Sequence, residues 1–217
     1  SLGTKYKNKH TGNFGDISVF SFNVTKIAMG GQGGVFCTNN KKFYDIANLY
    51  AGHGINEKKT GKYYWSTVIG YNYRWTNIQA ALAYGQIKRL KNFLKYKKQI
   101  YKKYVKLIHE DEKVKFVKPQ KDTIWNYWLV GLIIKSKKSK EKIIKLFEKH
   151  KIDLRPMLYP LSSMPPFKKY LSKNIKTQNQ SSYFISRSSV CLPNGYDLNE
   201  KKIRYFAKLF NKLRKSF

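Results

Sequence analysis

Cysteine is scarce in this 217-residue chain. Cys37 and Cys191 lie too far apart for a metal-binding pair and are too few for a disulfide scaffold. Both are expected to be reduced and buried. The four histidines, His10, His53, His109 and His150, form no paired helical metal motif, so no metal site is expected. No apolar run is long enough to span a bilayer, which argues against a membrane protein. The opening Ser1-Leu2-Gly3-Thr4-Lys5 has neither an initiator methionine nor the apolar core of a signal peptide. A cytoplasmic location is expected, and the abrupt start reads as part of a longer chain.

Acidic residues are also few, 12 against 44 basic ones, for a formal charge of +32. That charge admits nucleic acid or an anionic membrane as a partner. The kind of base argues otherwise. Six of the 44 basic residues are arginine (Arg74, Arg89, Arg155, Arg187, Arg204 and Arg214), which leaves 38 lysines. A surface that grips phosphates and bases favours the planar arginine fork. Here lysine travels with Asn, Ile, Tyr and Phe, the signature of AT-rich codons. A lysine-rich nucleic-acid-binding protein without catalysis is kept as the alternative of another class. With 41% apolar and 16% aromatic residues the chain has the composition of a globular protein.

The periodicities predict alternating strands and helices. A strand over 16–22 leads into the run Gly30-Gly31-Gln32-Gly33-Gly34, a short strand follows at 35–38, and a helix over 41–50 is closed by Gly52 and Gly54. From a Thr76 or Asn77 cap, one long helix is expected to about Ile108, able to bridge two domains. Beyond it come a strand over 125–134, a helix over 139–150, an extended proline-bearing segment over 154–160 and a short helix over 181–187. A brief strand or turn at 190–193 and a helix capped by Asn199 complete the chain. The lysine run 135–142 reads as solvated loop and helix face. Two domains are expected, 1–110 and 111–217.

Lys26 has a setting that the other lysines lack. It follows the strand end Ser21-Phe22-Asn23-Val24-Thr25 and precedes the glycines. A lysine held at such a place can be desolvated enough to act as an amine nucleophile, although solvent exposure is the default for lysine. The glycine run matches neither a dinucleotide fingerprint nor a phosphate-binding loop with its Gly-Lys-Ser/Thr, and a simple turn with positive φ explains it equally well.

The stretch from Gly12 through Asp16-Ile17-Ser18-Val19-Phe20-Ser21-Phe22 to Lys26, with the glycines after it, resembles a signature of sugar-nucleotide aminotransferases of the DegT/DnrJ/StrS type. Gly70-Tyr71-Asn72-Tyr73-Arg74-Trp75-Thr76-Asn77-Ile78-Gln79-Ala80-Ala81 is similar to the second signature of that family. Arg155-Pro156-Met157-Leu158-Tyr159-Pro160 with Met164-Pro165 is similar to the third. The three occur in the family's order across nearly the whole chain.

The resemblance implies an α/β protein of the pyridoxal-phosphate fold type I. Residues 1–110 would be the C-terminal part of the cofactor-binding large domain with its bridging helix, and 111–217 the small α/β domain. Pyridoxal 5′-phosphate would be the cofactor. Lys26 would bind it covalently and later move the reaction's proton, with Ser21 on its phosphate. Asn72, reaching that phosphate, and Arg74, near phosphate or substrate, would come from the second subunit of a homodimer, although both also read as ordinary entry to a helix. Arg155 and Tyr159 would contact the nucleotide sugar, or simply belong to a proline-fixed crossing. The reaction implied is transfer of an amino group from glutamate to a keto sugar-nucleotide for cell-surface polysaccharide or O-antigen synthesis. The wording is nearest the branch that converts GDP-4-keto-6-deoxymannose to GDP-perosamine, with UDP- or dTDP-linked sugars as the alternative. Two departures bear on this: Ser162 stands where the family commonly has His, and Gln32 stands between the paired glycines. The family's pyridinium-binding aspartate lies upstream of the match to Ser1, so this stretch alone is expected to be inactive.

Overall fold

The computed structural model describes residues 1–136, 138–172 and 174–217. In chain order it contains β1 (Lys5–Tyr6), β2 (Lys9–His10), β3 (Ile17–Ser21), β4 (Gly34–Thr38), α1 (Lys41–Ala51), α2 (Glu57–Thr60), α3 (Asn77–Lys88) and α4 (Leu90–Leu107). Then follow β5 (Val114–Phe116), β6 (Thr123–Ile124), β7 (Val130–Ile134), α5 (Lys140–Glu148), β8 (Arg155–Pro156), α6 (Ile175–Gln178), α7 (Gln180–Ser188), β9 (Ser189–Leu192) and α8 (Glu200–Leu213). Two compact units result. The first is Ser1–Lys95 with Pro119–Asn126, and the second is Tyr96–Lys118 with Tyr127–Phe217.

The division falls inside α4 and not at 110/111. Ile100 and Tyr104, in its second half, are buried in the core of the second unit. Nor is there one helix from 76 to 108. Thr76 caps α3 in a reciprocal capping box with Gln79, but α3 closes at Arg89, whose N–H reaches Gln86 O and Ile87 O. Only Ala83 of α3 is buried, so no apolar stripe carries this helix past Arg89.

In the first unit β3 and β4 pair antiparallel, from Ile17↔Thr38 to Ser21↔Gly34. Phe22, Ala28 and Ala83 form a small core with Phe20, Val35, Trp75 and Leu90 against it. The outer face of the ribbon stays apolar and open, with Val19 73% exposed. Cys37 is exposed on this ribbon and only Cys191 is buried; both are free. Cys37 shares the Val35 face of β4, but the small core around Phe22, Ala28 and Ala83 does not extend to it, so it stays in solvent.

The second unit is an antiparallel sheet in the order β5-β7-β9-β8. Alternate residues Val114 and Phe116, Val130, Leu132 and Ile134, and Val190 and Leu192 share one core with Ile100 and Tyr104 of α4, Ile143 and Phe147 of α5, and Ile203, Phe206 and Phe210 of α8. Each such side chain contributes about 1.5–3 kcal/mol on burial. The brief strand expected at 190–193 is the fully buried β9, flanked by β7 and β8. The proline-bearing β8 takes the edge, where a missing N–H is tolerated. Of the strand expected over 125–134 only Val130–Ile134 forms, as β7; residues 125–129 leave the extended ladder. Tyr127 adopts φ 54°, and the Asn194 side-chain amide takes the carbonyls of Tyr127 and Trp128, each at 2.9 Å, out of any ladder.

Lysine 97 shows how tightly this unit is bound. On α4, Tyr96 Oη donates to Tyr196 O at 3.2 Å and Tyr104 Oη to Pro193 O at 2.9 Å. Between them Lys97, 5% exposed, donates to Asn194 O and lies 4.3 Å over the Tyr196 ring. Burial pulls its ammonium down from 10.5 to about 8. Between these two values the unfolded chain holds a proton that the folded chain has lost, so stability rises with pH across that window. Tyr196, pushed up from 10 to about 12 by burial, makes stability fall with pH only between those values, so a titration that stops at pH 9.5 stays below its range. Denaturant unfolding from pH 7 to 9.5 should therefore show wild type gaining about 1–2 kcal/mol relative to Lys97→Met. Parallel pH profiles for the two proteins would refute this account of Lys97.

Candidate active site

The expected site residues fall into three places. Ser21 and Lys26 lie together at the end of β3. Asn72 and Arg74 lie on the segment before α3, and Arg155 and Tyr159 belong to the second unit.

At the β3 terminus the chain must leave a strand, present a lysine and return. Asn23 organises this turn: its Oδ1 accepts from both Thr25 N and Thr25 Oγ1 at 3.0 Å, and Lys26 N donates to Asn23 O at 2.9 Å. That is an Asx turn, which asparagine favours because its side chain imitates a backbone carbonyl. Lys26 emerges half-buried, beside the buried Ile27 and Ala28. Ser21 is exposed, and its Oγ accepts weakly from Asn23 N at 3.4 Å, leaving its O–H to donate outward.

The glycine run is fixed against this turn. Asn23 Nδ2 donates to Gln32 Oε1 at 2.8 Å, and Trp75 Nε1 donates to Gln32 O at 2.9 Å. The Trp75 ring also meets Phe22 edge-on at 5.4 Å. Phe22 N takes Gly33 O and Gly30 N takes Phe22 O, closing the loop back on the strand. A Cβ on Gly33 would lie 2.2 Å from the Trp75 indole nitrogen, and one on Gly34 would lie 2.6 Å from Phe20 O. The departure at Gln32 thus has a function in this structure, since both its side chain and its carbonyl are used. The Asn23-x-Thr25 spacing is a turn signal readable in sequence. Nothing in the sequence pairs Trp75 with Gln32, 43 residues away.

On the second segment, Tyr71 N and Tyr73 N donate to Tyr50 O and Ala51 O at the end of α1, and Tyr71 and Tyr73 stack at 4.9 Å. Asn72 bridges Gly52 through its backbone with its side chain exposed. Arg74 donates to Asn48 O at 3.3 Å and lies over Gly52, where a Cβ would come within 2.6 Å of the guanidinium. In the second unit Arg155 Nε pairs with Asp153 Oδ2 at 3.2 Å, and Tyr159 is 53% exposed. Ser162 Oγ lies 3.1 Å from Tyr183 Oη, a partner that sequence reading did not supply.

The donor set around β3 fits pyridoxal phosphate: an amine for its aldehyde, an outward hydroxyl for its phosphate, and a glycine cradle too tight for side chains. Gly31, with φ +87° and open space around it, tests backbone strain alone, whereas Gly33, with φ +89°, adds the indole. Each change to alanine should cost about 1–3 kcal/mol from strain, with Gly33→Ala the more damaging of the two in thermal unfolding. Equal losses would remove Trp75 as the clamp.

The model of the DegT/DnrJ/EryC1/StrS aminotransferase family matches residues 1–211. A GDP-perosamine synthase from Escherichia coli O157:H7 is 32% identical over 97% of this chain and 55% of its own length. A UDP-4-amino-4,6-dideoxy-N-acetyl-beta-L-altrosamine transaminase from Campylobacter jejuni is 27% identical over 94% of this chain and 54% of its own. Among solved structures, a sugar aminotransferase from Streptococcus pneumoniae in its PLP-form superposes with a TM-score of 0.86 at 19% identity, over 100% of this chain and 56% of that one. The chain spans about half the length of the curated relatives it matches. Pyridoxal phosphate is the cofactor that accompanies this fold, and the chain belongs to the DegT/DnrJ/EryC1/StrS aminotransferase family.

Proposed function

We propose that this chain is the lysine-bearing part of an aminotransferase that moves an amino group from glutamate onto a keto sugar carried by a nucleoside diphosphate. The observation that carries the reading is Lys26, presented just beyond the outward hydroxyl of Ser21 by an Asx turn that the glycine loop holds through Asn23 and Gln32. Pyridoxal phosphate, when bound, supplies the electron sink for the carbon that gains or loses the amine. Lys26 Nζ anchors the cofactor and afterwards carries the proton, a double use that needs a side chain long enough to swing and a backbone that does not move. Ser21 Oγ–H donates to the phosphate. The residue that would pair with the pyridinium nitrogen falls, on the resemblance, outside these 217 residues, so the activity is proposed for the full-length protein.

The GDP-linked 4-keto-6-deoxy sugar, and with it perosamine formation for O-antigen or other surface polysaccharide, is supported by the 32% identity to the E. coli enzyme named for that product. A UDP-linked substrate is the second reading, supported by the C. jejuni transaminase and by Ser162, which bonds Tyr183 where the family commonly places histidine. A second copy contributing Asn72 and Arg74 is supported by the exposed apolar side chains of the same stretch, Tyr63, Tyr64, Ile69 and Tyr73 among them. Nucleic acid is disfavoured as a partner because Arg74, Arg155, Arg204 and Arg214 already engage groups of this chain. Among the described residues no helix is long and apolar enough to cross a membrane, and a cytoplasmic site is the reading we adopt for two free cysteines.

Borohydride reduction of the full-length protein with pyridoxal phosphate should fix the label on Lys26 by peptide mass spectrometry. Lys26→Ala should lower amino transfer by roughly 10²–10⁴-fold. Labelling of a different lysine sinks the assignment. Comparing kcat/KM for GDP-, UDP- and dTDP-linked 4-keto-6-deoxy sugars decides between the two substrate readings.

A further inference from the structure

Among the described residues two lysines are buried, Lys97 and Lys140. The first straps a loop within the second unit. The second lies under a residue of the proposed substrate site, and nothing in the lysine-rich composition explains why it should be withdrawn from water. The run 135–142 reads as solvated in sequence, yet Lys140 is 6% exposed; Lys137 of that run lies outside the described residues.

Lys140 is the first residue of α5, placed by the Ser139 cap. Its Nζ donates to Ser186 O at 2.7 Å. Ser186 is in the last turn of α7, where carbonyls lack partners within the helix and the helix dipole favours a cation. The same ammonium lies 4.2 Å from the centroid of the Tyr159 ring. An ammonium has three donors, so one can be spent on the carbonyl while the charge faces the ring. Tyr159 remains 53% exposed, and the face under Lys140 is covered, so the accessible area is the opposite face and the edge. Pro160 immediately afterwards, with φ −58° and ψ 134°, holds the backbone of this stretch extended. The ring is therefore presented outward as a flat surface with a buried cation behind it.

We infer that Lys140 is a positioning residue for nucleotide-sugar recognition: anchored by the end of α7, it fixes the Tyr159 ring as a platform for the nucleoside diphosphate part of the substrate. This rests on the proposed function and on the family resemblance, which implies that Tyr159 contacts the nucleotide sugar. Lysine suits the task because its long stem is buried while its head reaches two elements at once. Arginine, with more donors and the same affinity for ring faces, should substitute; methionine, of similar length without charge, should not.

The test uses the full-length, cofactor-loaded protein and titrates GDP and UDP by calorimetry. Tyr159→Leu should weaken the tighter of the two by about tenfold or more, and Lys140→Met by roughly three- to tenfold, with Lys140→Arg within about twofold of wild type. The double variant should bind no more weakly than Tyr159→Leu alone, since both changes remove one interaction. In turnover with the nucleotide sugar the defect of Lys140→Met should fall on KM and not on kcat. Unchanged affinity in Lys140→Met beside a weakened Tyr159→Leu would overturn the role of Lys140 while leaving the proposed function standing, as would losses that add in the double variant. Unchanged affinity in Tyr159→Leu would instead remove Tyr159 from the proposed substrate site.

Discussion

The hydrogen bond from the Trp75 indole to the Gln32 carbonyl is the constraint on which the candidate active site depends. Four glycines in five positions form a segment that loses more conformational entropy on ordering than any other kind of chain. One side chain supplies what orders it. The indole donates at 2.9 Å, its ring meets Phe22 at 5.4 Å, and it fills the space that a side chain at Gly33 would take. Once Gln32 is fixed, its amide oxygen fixes Asn23, and Asn23 shapes the turn from which Lys26 projects. A net worth of about 0.5–1.5 kcal/mol for one hydrogen bond understates such a residue, because the steps behind it are serial.

This serial order also explains which parts of the site could be read in the sequence. The turn at Asn23 is local, and its Asn-x-Thr spacing is visible to anyone who knows what asparagine does after a strand. The capping box of Thr76 and Gln79 and the Asn199 cap are likewise written within four residues. Trp75 reads in sequence as a packing aromatic ahead of a helix, and half of that is right. Its second role depends on a loop 43 residues earlier, and no periodicity connects the two. The same holds for Ser162 with Tyr183 and for Lys140 with Tyr159, contacts across 21 and 19 residues set by how strands and helices pack.

Boundaries were less legible than elements, and for a related reason. A helix from 76 to 108 is what local propensity favours, but the segment carries two obligations. Ala83 and Leu90 serve the small core of the first unit, and Ile100 and Tyr104 serve the core of the second. Tertiary packing assigns the residues, so the unit boundary lands between Lys95 and Tyr96 inside an element that looks uniform in sequence. The late start of β7 at Val130 has the same origin: Trp125 to Leu129 are aromatic and apolar enough for a strand, but Tyr127 is driven to positive φ where Asn194 claims its carbonyl.

The net charge of +32 finally takes a different meaning when its carriers are sorted by surroundings. Nearly all the lysines among the described residues lie in solvent, where pairs such as Lys41 with Asp45 contribute little, and an excess of one sign mainly aids solubility. The arginines, expected to be the phosphate-gripping minority, are largely engaged in holding this chain together. Arg214, for instance, takes His109 O and pairs with Asp111. Chemistry therefore falls to lysines whose surroundings differ from the rest. Lys26 is set apart by a turn, Lys97 by burial against Asn194 and Tyr196, and Lys140 by a helix end and a ring. In a chain this rich in one residue type, abundance carries no information about function. What distinguishes one lysine from the others is the set of groups that surround its amine.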